Sequence, residues 1–233
     1  MTQRELPTEA ATDTRVLSPI RFAAHSYLVQ EITTERGWLP AARYTNLRDV
    51  RRFERIGFID IDWQNYSFTK HLQAVKSARP LLTVAKDLDD LSELPRILDQ
   101  AAELRNWSDA VIFVPKVDEF KYEMEEVVPL DFIFGYSTPT QYGGTSIEPK
   151  YFHRPTHILG GSPQAQLALG SQLDVCSFDC NRFTLDARYG DFFDGVRFRP
   201  HPTGGYRACL KASVESINRA WDSLSVPASA AAA

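Results

Sequence analysis

Short apolar runs of β type alternate with amphipathic stretches over most of the chain. The runs are FIDIDW at 58–63, LLTVAKDL at 81–88, AVIFVPKV at 110–117, FIFGYS at 132–137, THILGG at 156–161, VCSFDC at 175–180 and GVRFRP at 195–200. Most are apolar nearly throughout rather than at every second position, the mark of strands buried on both faces. Between them, Phe68–Ala78, Asp90–Trp107, Pro163–Leu173, Arg182–Tyr189 and Ala208–Leu224 carry apolar residues at three- and four-residue spacing and predict helices. Leu91, Leu94, Ile97, Leu98, Ala101, Ala102 and Leu104 form the clearest stripe. Buried strands separated by helices predict an α/β fold with a parallel sheet. A further run around Ala24–Ile32 supplies an eighth strand. That completes a (β/α)8 barrel, regular or with an irregular unit; an open doubly wound parallel sheet is the alternative.

The length of 233 residues suits one such fold, expected over 18–225 between mobile ends at 1–17 and 226–233. Hydrophobic residues at 43% and charged residues at 24% are ordinary for a globular chain and exclude a largely disordered one. The start, MTQRELPTEAATDTRVL, has acidic residues and no apolar run, unlike a signal peptide. No stretch of about 18 apolar residues is present to span a bilayer. Cys176, Cys180 and Cys209 are an odd set, better suited to reduced thiols than to a disulfide framework. These features predict a cytoplasmic protein with no membrane partner. A net charge of −4 argues against a sequence-independent nucleic-acid coat. It leaves room for a local basic groove from Arg48, Arg51, Arg52 and Arg55, which recur at helical spacing, and from Arg182, Arg188, Arg197, Arg199 and Arg207. Solvated helix faces are the plainer explanation of the same arginines.

In parallel α/β folds catalytic groups gather at the carboxyl ends of the strands, where the connecting loops are free to vary. The polar residues at those ends include Asp60, Asp62, Lys86, Asp87, Lys116, Ser137, Thr138, Ser162, Asp179, Asn181 and His201. A single Asp at such a place is commonly a helix cap. Asp62, Asp87 and Asp179 each follow an apolar strand, so all three are expected to line one cavity, where proximity and burial shift carboxyl pKa values apart. Asp60 and Asp62 lie two apart along the run, and at most one of the pair is expected to face the barrel axis at a given level. Of three Gly-Gly pairs, Gly160–Gly161 is the best placed: it ends a strand and leads through Ser162 and Pro163 into a helix, offering backbone N–H groups to a phosphate or a base carbonyl. The cysteines lack zinc-site spacing, and His25, His71 and His153 lack ligand spacing, so no metal is expected. His157 lies inside a strand and reads as a hydrogen-bonded core histidine. No Walker loop and no dinucleotide glycine fingerprint occurs, which removes ATPase and dinucleotide readings.

At the sixth run, LDVCSFDCNRFTLDARYGDFFDG resembles the nucleophile segment of the guanine and 7-deazaguanine transglycosylases, the queuine tRNA-ribosyltransferase-like barrels. Those enzymes show a strand ending in Phe-Asp-Cys, a polar stretch, then Ala-Arg-x-Gly before an aromatic residue. The counterparts are Phe178-Asp179-Cys180, Ala187-Arg188-Tyr189-Gly190 and Phe192 or Phe193. RPTHILGGSP resembles the strand that precedes the nucleophile, and Asp62, Tyr66, Asp87 and Gly135 fall where the family has a strand-ending Asp, an aromatic, a heterocycle-reading Asp and a glycine strand end. The likeness spans roughly Phe58 to Gly195, in the style of the short phage and archaeal relatives that insert 7-deazaguanines into DNA. The family's zinc module has only Cys209 in its place, and the strand that usually brings a glutamine to the base ends in Pro115-Lys116.

The resemblance implies a base exchange without a cofactor. Asp179 attacks the anomeric carbon of a guanosine-type nucleotide and Asp62 moves the base proton. Asp87 reads the Watson–Crick edge and Tyr66 stacks on the heterocycle, with Gly135, Gly160, Gly161, Lys116 and Arg188 as further binding residues. The implied partners are a nucleic acid, DNA rather than tRNA, and a 7-deazaguanine base. Two other classes fit the same carboxylates: a barrel hydrolase or phosphodiesterase with a divalent metal on Asp60, Asp62 and Asp179, and a non-catalytic nucleotide-binding barrel.

Overall fold

The computed structural model describes residues 18–141 and 143–224; the expected mobile ends lie outside them. Eight parallel strands close into a barrel in chain order: β1 (Ile20–Ala24), β2 (Leu39–Arg43), β3 (Phe58–Asp60), β4 (Leu82–Val84), β5 (Ala110–Phe113), β6 (Phe132–Ser137), β7 (Thr156–Leu159) and β8 (Val175–Asp179). The last pairs back onto the first, with Ile20 opposite Ser177 and Phe22 opposite Asp179. The doubly wound alternative is thereby set aside. Around the barrel run α1 (Tyr27–Thr34), α2 (Phe68–Ala78), α3 (Leu94–Arg105), the single turn α4 (Met124–Val127), α5 (Pro163–Gly170), α6 (Arg182–Ala187) and α7 (Tyr206–Leu224).

Local chemistry sets several boundaries. Ser162 caps α5 by accepting the Ala165 N–H at 3.3 Å, and Pro163 follows with no N–H to leave unpaired. Arg79 ends α2 in the left-handed region at φ 46°, just before Pro80. Inside the barrel, Phe22, Phe58 and His157 meet with ring centroids 5.1–5.9 Å apart. They come from the first, third and seventh strands, as expected where interior layers draw on alternate strands. Gly135 of β6 makes room for this filling. A Cβ there would lie 2.6–2.8 Å from Val114, Ile112 and Leu159 side-chain carbons.

Two buried glutamines tie neighbouring strand tips together. Gln30 of α1 donates to His25 O at 3.1 Å and accepts the Ala41 N–H at 3.1 Å, which joins β1 to β2. Gln166 of α5 donates to Gly160 O at 2.7 Å and Asp179 O at 2.6 Å, which joins β7 to β8. At the barrel seam, Trp221 of α7 stacks on Phe178 at 4.7 Å, and Trp38 meets Phe178 edge-on at 5.6 Å while donating to Asn218 at 2.7 Å. Such aromatic burial is what fastens the long last helix over the closure.

Three expectations are corrected. GVRFRP is not a barrel strand: β9 (Asp191–Phe193) and β10 (Phe198–Pro200) form a separate antiparallel pair outside it. The run around Ala24–Ile32 is not one strand but the end of β1 followed by α1, and β2 is the strand that completes the eight. The arginines from Arg48 to Arg55 lie on no α-helix, only a short 3-10 turn at Leu47–Asp49 and irregular chain. Among the described residues no helix is long and apolar enough to cross a membrane.

Candidate active site

A cavity of about 660 Å³ opens at the carboxyl ends of the strands. Every strand or the loop just after it reaches the wall: His25, Arg43, Asp60, Asp87, Lys116, Ser137, Gly160 and Asp179, in strand order. Three carboxyl groups from separate strands therefore converge, but the one supplied by β3 is Asp60 and not Asp62.

Asp179 is the last residue of β8 and is 7% exposed. Its Oδ1 accepts the Gly160 N–H at 3.0 Å and lies 3.5 Å from His157 Nε2. Gly160 holds φ +60° to present that N–H, a conformation that favours glycine. Gly161 follows at φ +87°, and a Cβ there would lie 2.6–2.9 Å from the Thr138 side chain. Asp60 behaves differently. Burial first, then the negative charge of Asp179, push its pKa up to about 7, opposed by the Ile61 N–H at 2.8 Å and by Arg43. At neutral pH it is thus poised between acid and base forms, the property expected of a proton-transfer group.

Asp87 is paired to Lys116 at 2.6 Å, with Asp89 a further 3.8 Å contact of the same ammonium. Burial still outweighs Lys116 and holds the Asp87 pKa above the usual carboxylate range. The pair gives the wall a carboxyl acceptor and an ammonium donor side by side. Trp63, 54% exposed, forms an aromatic face between this cavity and a smaller lobe of about 210 Å³.

Of the residues singled out from sequence, Asp87, Lys116, Gly160, Gly161 and Asp179 come together on this wall. Asp62 does not. It is half-buried outside the lining, and its carbonyl closes a turn with the Asn65 N–H at 3.2 Å. Tyr66 lines only the smaller lobe; its hydroxyl lies 3.3 Å from His71 Nδ1 and its ring meets Tyr44 edge-on. Gly135 is a packing residue of β6 and has no part in the lining. Arg188 is exposed at the end of α6 outside the lining. Its charge reaches His25, whose pKa is lowered first by burial and then by this arginine. Arg182 is held by Asp186 at 2.9 Å. The set Asp60, Asp62 and Asp179 is not assembled, and among the described residues no three His, Cys, Asp or Glu groups are placed to hold a metal ion.

Sequence reasoning did not place Arg43 or Trp63 at the site and weighed His25 only as a metal ligand. Arg43 had a visible signal as the polar end of LPAAR, a segment whose internal proline masked it as a strand.

The model of a family of unknown function, DUF6610, matches residues 33–222, and the chain belongs to that family. The match runs from the end of α1 to near the end of α7 and includes β2 to β8. No curated protein matches the chain.

Proposed function

We propose that the protein is a base-exchanging glycosyltransferase that replaces guanine in nucleic acid, DNA rather than tRNA, by a 7-deazaguanine. The observation that carries this reading is the pair of unlike carboxyl groups in one cavity. Asp179 is fixed by a backbone N–H, and Asp60 is poised to carry a proton at neutral pH. Retaining glycosyl transfer needs one carboxylate as nucleophile and a second group as acid and then base.

Asp179 attacks C1′ of the target nucleotide and forms an ester as the C1′–N9 bond breaks. Asp60 supplies the proton that lets guanine leave neutral. The incoming 7-deazaguanine returns a proton to Asp60 as its ring nitrogen attacks C1′, and the ester breaks to restore Asp179. Asp87 and Lys116, held 2.6 Å apart, offer an acceptor and a donor to the edge of the heterocycle. Trp63 supplies the stacking face expected of Tyr66. A volume of about 660 Å³ accommodates a flipped-out nucleotide together with a base. Arg43 on the cavity wall and Arg188 beside His25 offer cations to the flanking phosphates.

The test is nucleoside mass spectrometry of DNA and tRNA from cells with and without the protein. A 7-deaza-2′-deoxyguanosine species from DNA that is lost with the gene is the expected result. Unchanged nucleosides in both polymers overturn the proposal.

A further inference from the structure

The barrel holds a titratable side chain that the reaction above does not use. His157 of β7 is fully buried between Phe22 and Phe58, directly beneath Asp179. Its Nδ1 lies 2.8 Å from Ser177 Oγ, whereas its Nε2 has no hydrogen-bond partner and faces Asp179 Oδ1 at 3.5 Å. An apolar ring would fill this space without leaving a nitrogen unpaired, and unpaired buried polar atoms are costly.

We infer that His157 is a positioning residue for Asp179. Its Nε2–H is aimed at Oδ1, Ser177 fixes that tautomer by donating its hydroxyl to Nδ1, and Oδ2 is left as the oxygen offered to the cavity. The inference rests on the proposed exchange only in treating Asp179 as the nucleophile.

Three observations lead to it. First, a bare Nε2 lone pair facing a carboxylate oxygen is repulsive, so the proton belongs on Nε2, and Nδ1 then needs a donor. Ser177 is the hydroxyl in place. Second, Oδ1 already accepts the Gly160 N–H at 3.0 Å, so both contacts converge on one oxygen and leave the other unengaged. Third, the β7–β8 ladder slips at this point: Thr156 pairs with Val175, but His157 pairs with Ser177, which leaves Cys176 as an extra residue. A bulge of this kind re-aims side chains, and here it sets Ser177 opposite the imidazole. Contacts at catalytic groups are often longer than a hydrogen bond before substrate binds, and 3.5 Å lies in that range.

The inference is tested by NMR of the protein labelled with ¹⁵N-histidine. The expected spectrum shows His157 protonated at Nε2 and bare at Nδ1. Ser177→Ala should mix the tautomers, and Asp179→Asn should shift Nε2. A tautomer protonated at Nδ1, or spectra unchanged in both variants, overturns it. A second arm compares formation of the Asp179 adduct in His157→Leu and His157→Gln. The first should slow it roughly ten- to hundredfold at unchanged affinity for the oligonucleotide, and the second should recover most of the loss by restoring an N–H donor. Equal rates in the two variants also overturn the inference. A wild-type protein that forms no adduct defeats the exchange reading instead, and the tautomer still decides the contact.

Discussion

Asp60 sits where strand geometry and solvation oppose each other. It shares the interior face of β3 with Phe58, which puts its carboxyl in the cavity, and burial beside Asp179 raises its pKa to about 7. In the unfolded chain the group ionises near 3.8. Between those values the folded state holds a proton that the unfolded state has released, so the group lowers stability progressively as pH rises from about 4 to about 7. Asp60→Asn should therefore stabilise the fold near pH 8 by roughly 1–3 kcal/mol and have little effect near pH 4, read from urea midpoints. The same variant should slow base exchange by about a hundredfold or more. A lower midpoint near pH 8 would refute the burial argument. His71 titrates in the opposite direction. Burial lowers its pKa to about 4, so the neutral ring is favoured in the fold, and stability should fall as pH drops from about 6.5 toward 4. Over the shared window the two contributions oppose each other, so His71→Gln should make stability decline more steeply with rising pH between about 4 and 6.5 than it does in the wild type, in the same titration. Alternation puts residues two apart on one face, so it could not choose between Asp60 and Asp62. The choice depends on where β3 stops: it stops at Asp60, so Asp62 already belongs to the turn and strand alternation no longer governs it.

The elements best read from sequence are those whose burial is uniform. β3 to β8 each lie within one of the β-type runs, and α2 spans the residues its spacing predicts. GVRFRP misled because Arg197 and Arg199 alternate with Val196 and Phe198, a one-sided pattern that suits an outer antiparallel strand and not one covered on both faces. β2 was missed because LPAAR is short and holds Pro40, yet its ladder to β3 runs through Ala41, Ala42 and Arg43, beyond the proline. Gly135 is a binding residue only as the resemblance implies it; in the fold its close neighbours are the side chains of Val114, Ile112 and Leu159. Gly135→Ala should destabilise the barrel by about 1–3 kcal/mol through overpacking, measured by chemical denaturation. An unchanged midpoint would show that the interior has slack.

For the whole molecule, a net charge of −4 means that attraction to nucleic acid has to be local. Arg43 on the wall and Arg188, whose charge reaches His25, are the guanidinium groups proposed to meet the flanking phosphates. Oligonucleotide binding should weaken with salt, and neutralising both arginines should reduce the log–log salt slope by about 2. A slope unchanged in the double variant would place the phosphates elsewhere. The claim on which the rest depends is that Asp179 forms a bond to the nucleotide. It is tested most directly by mixing the protein with a guanine-containing DNA oligonucleotide, quenching under denaturing conditions and weighing the intact species. The expected mass is that of protein plus oligonucleotide minus guanine, mapped to Asp179 and absent from a folded Asp179→Asn variant. Full base exchange by Asp179→Asn, or a wild type that forms no adduct with DNA or RNA, would contradict it.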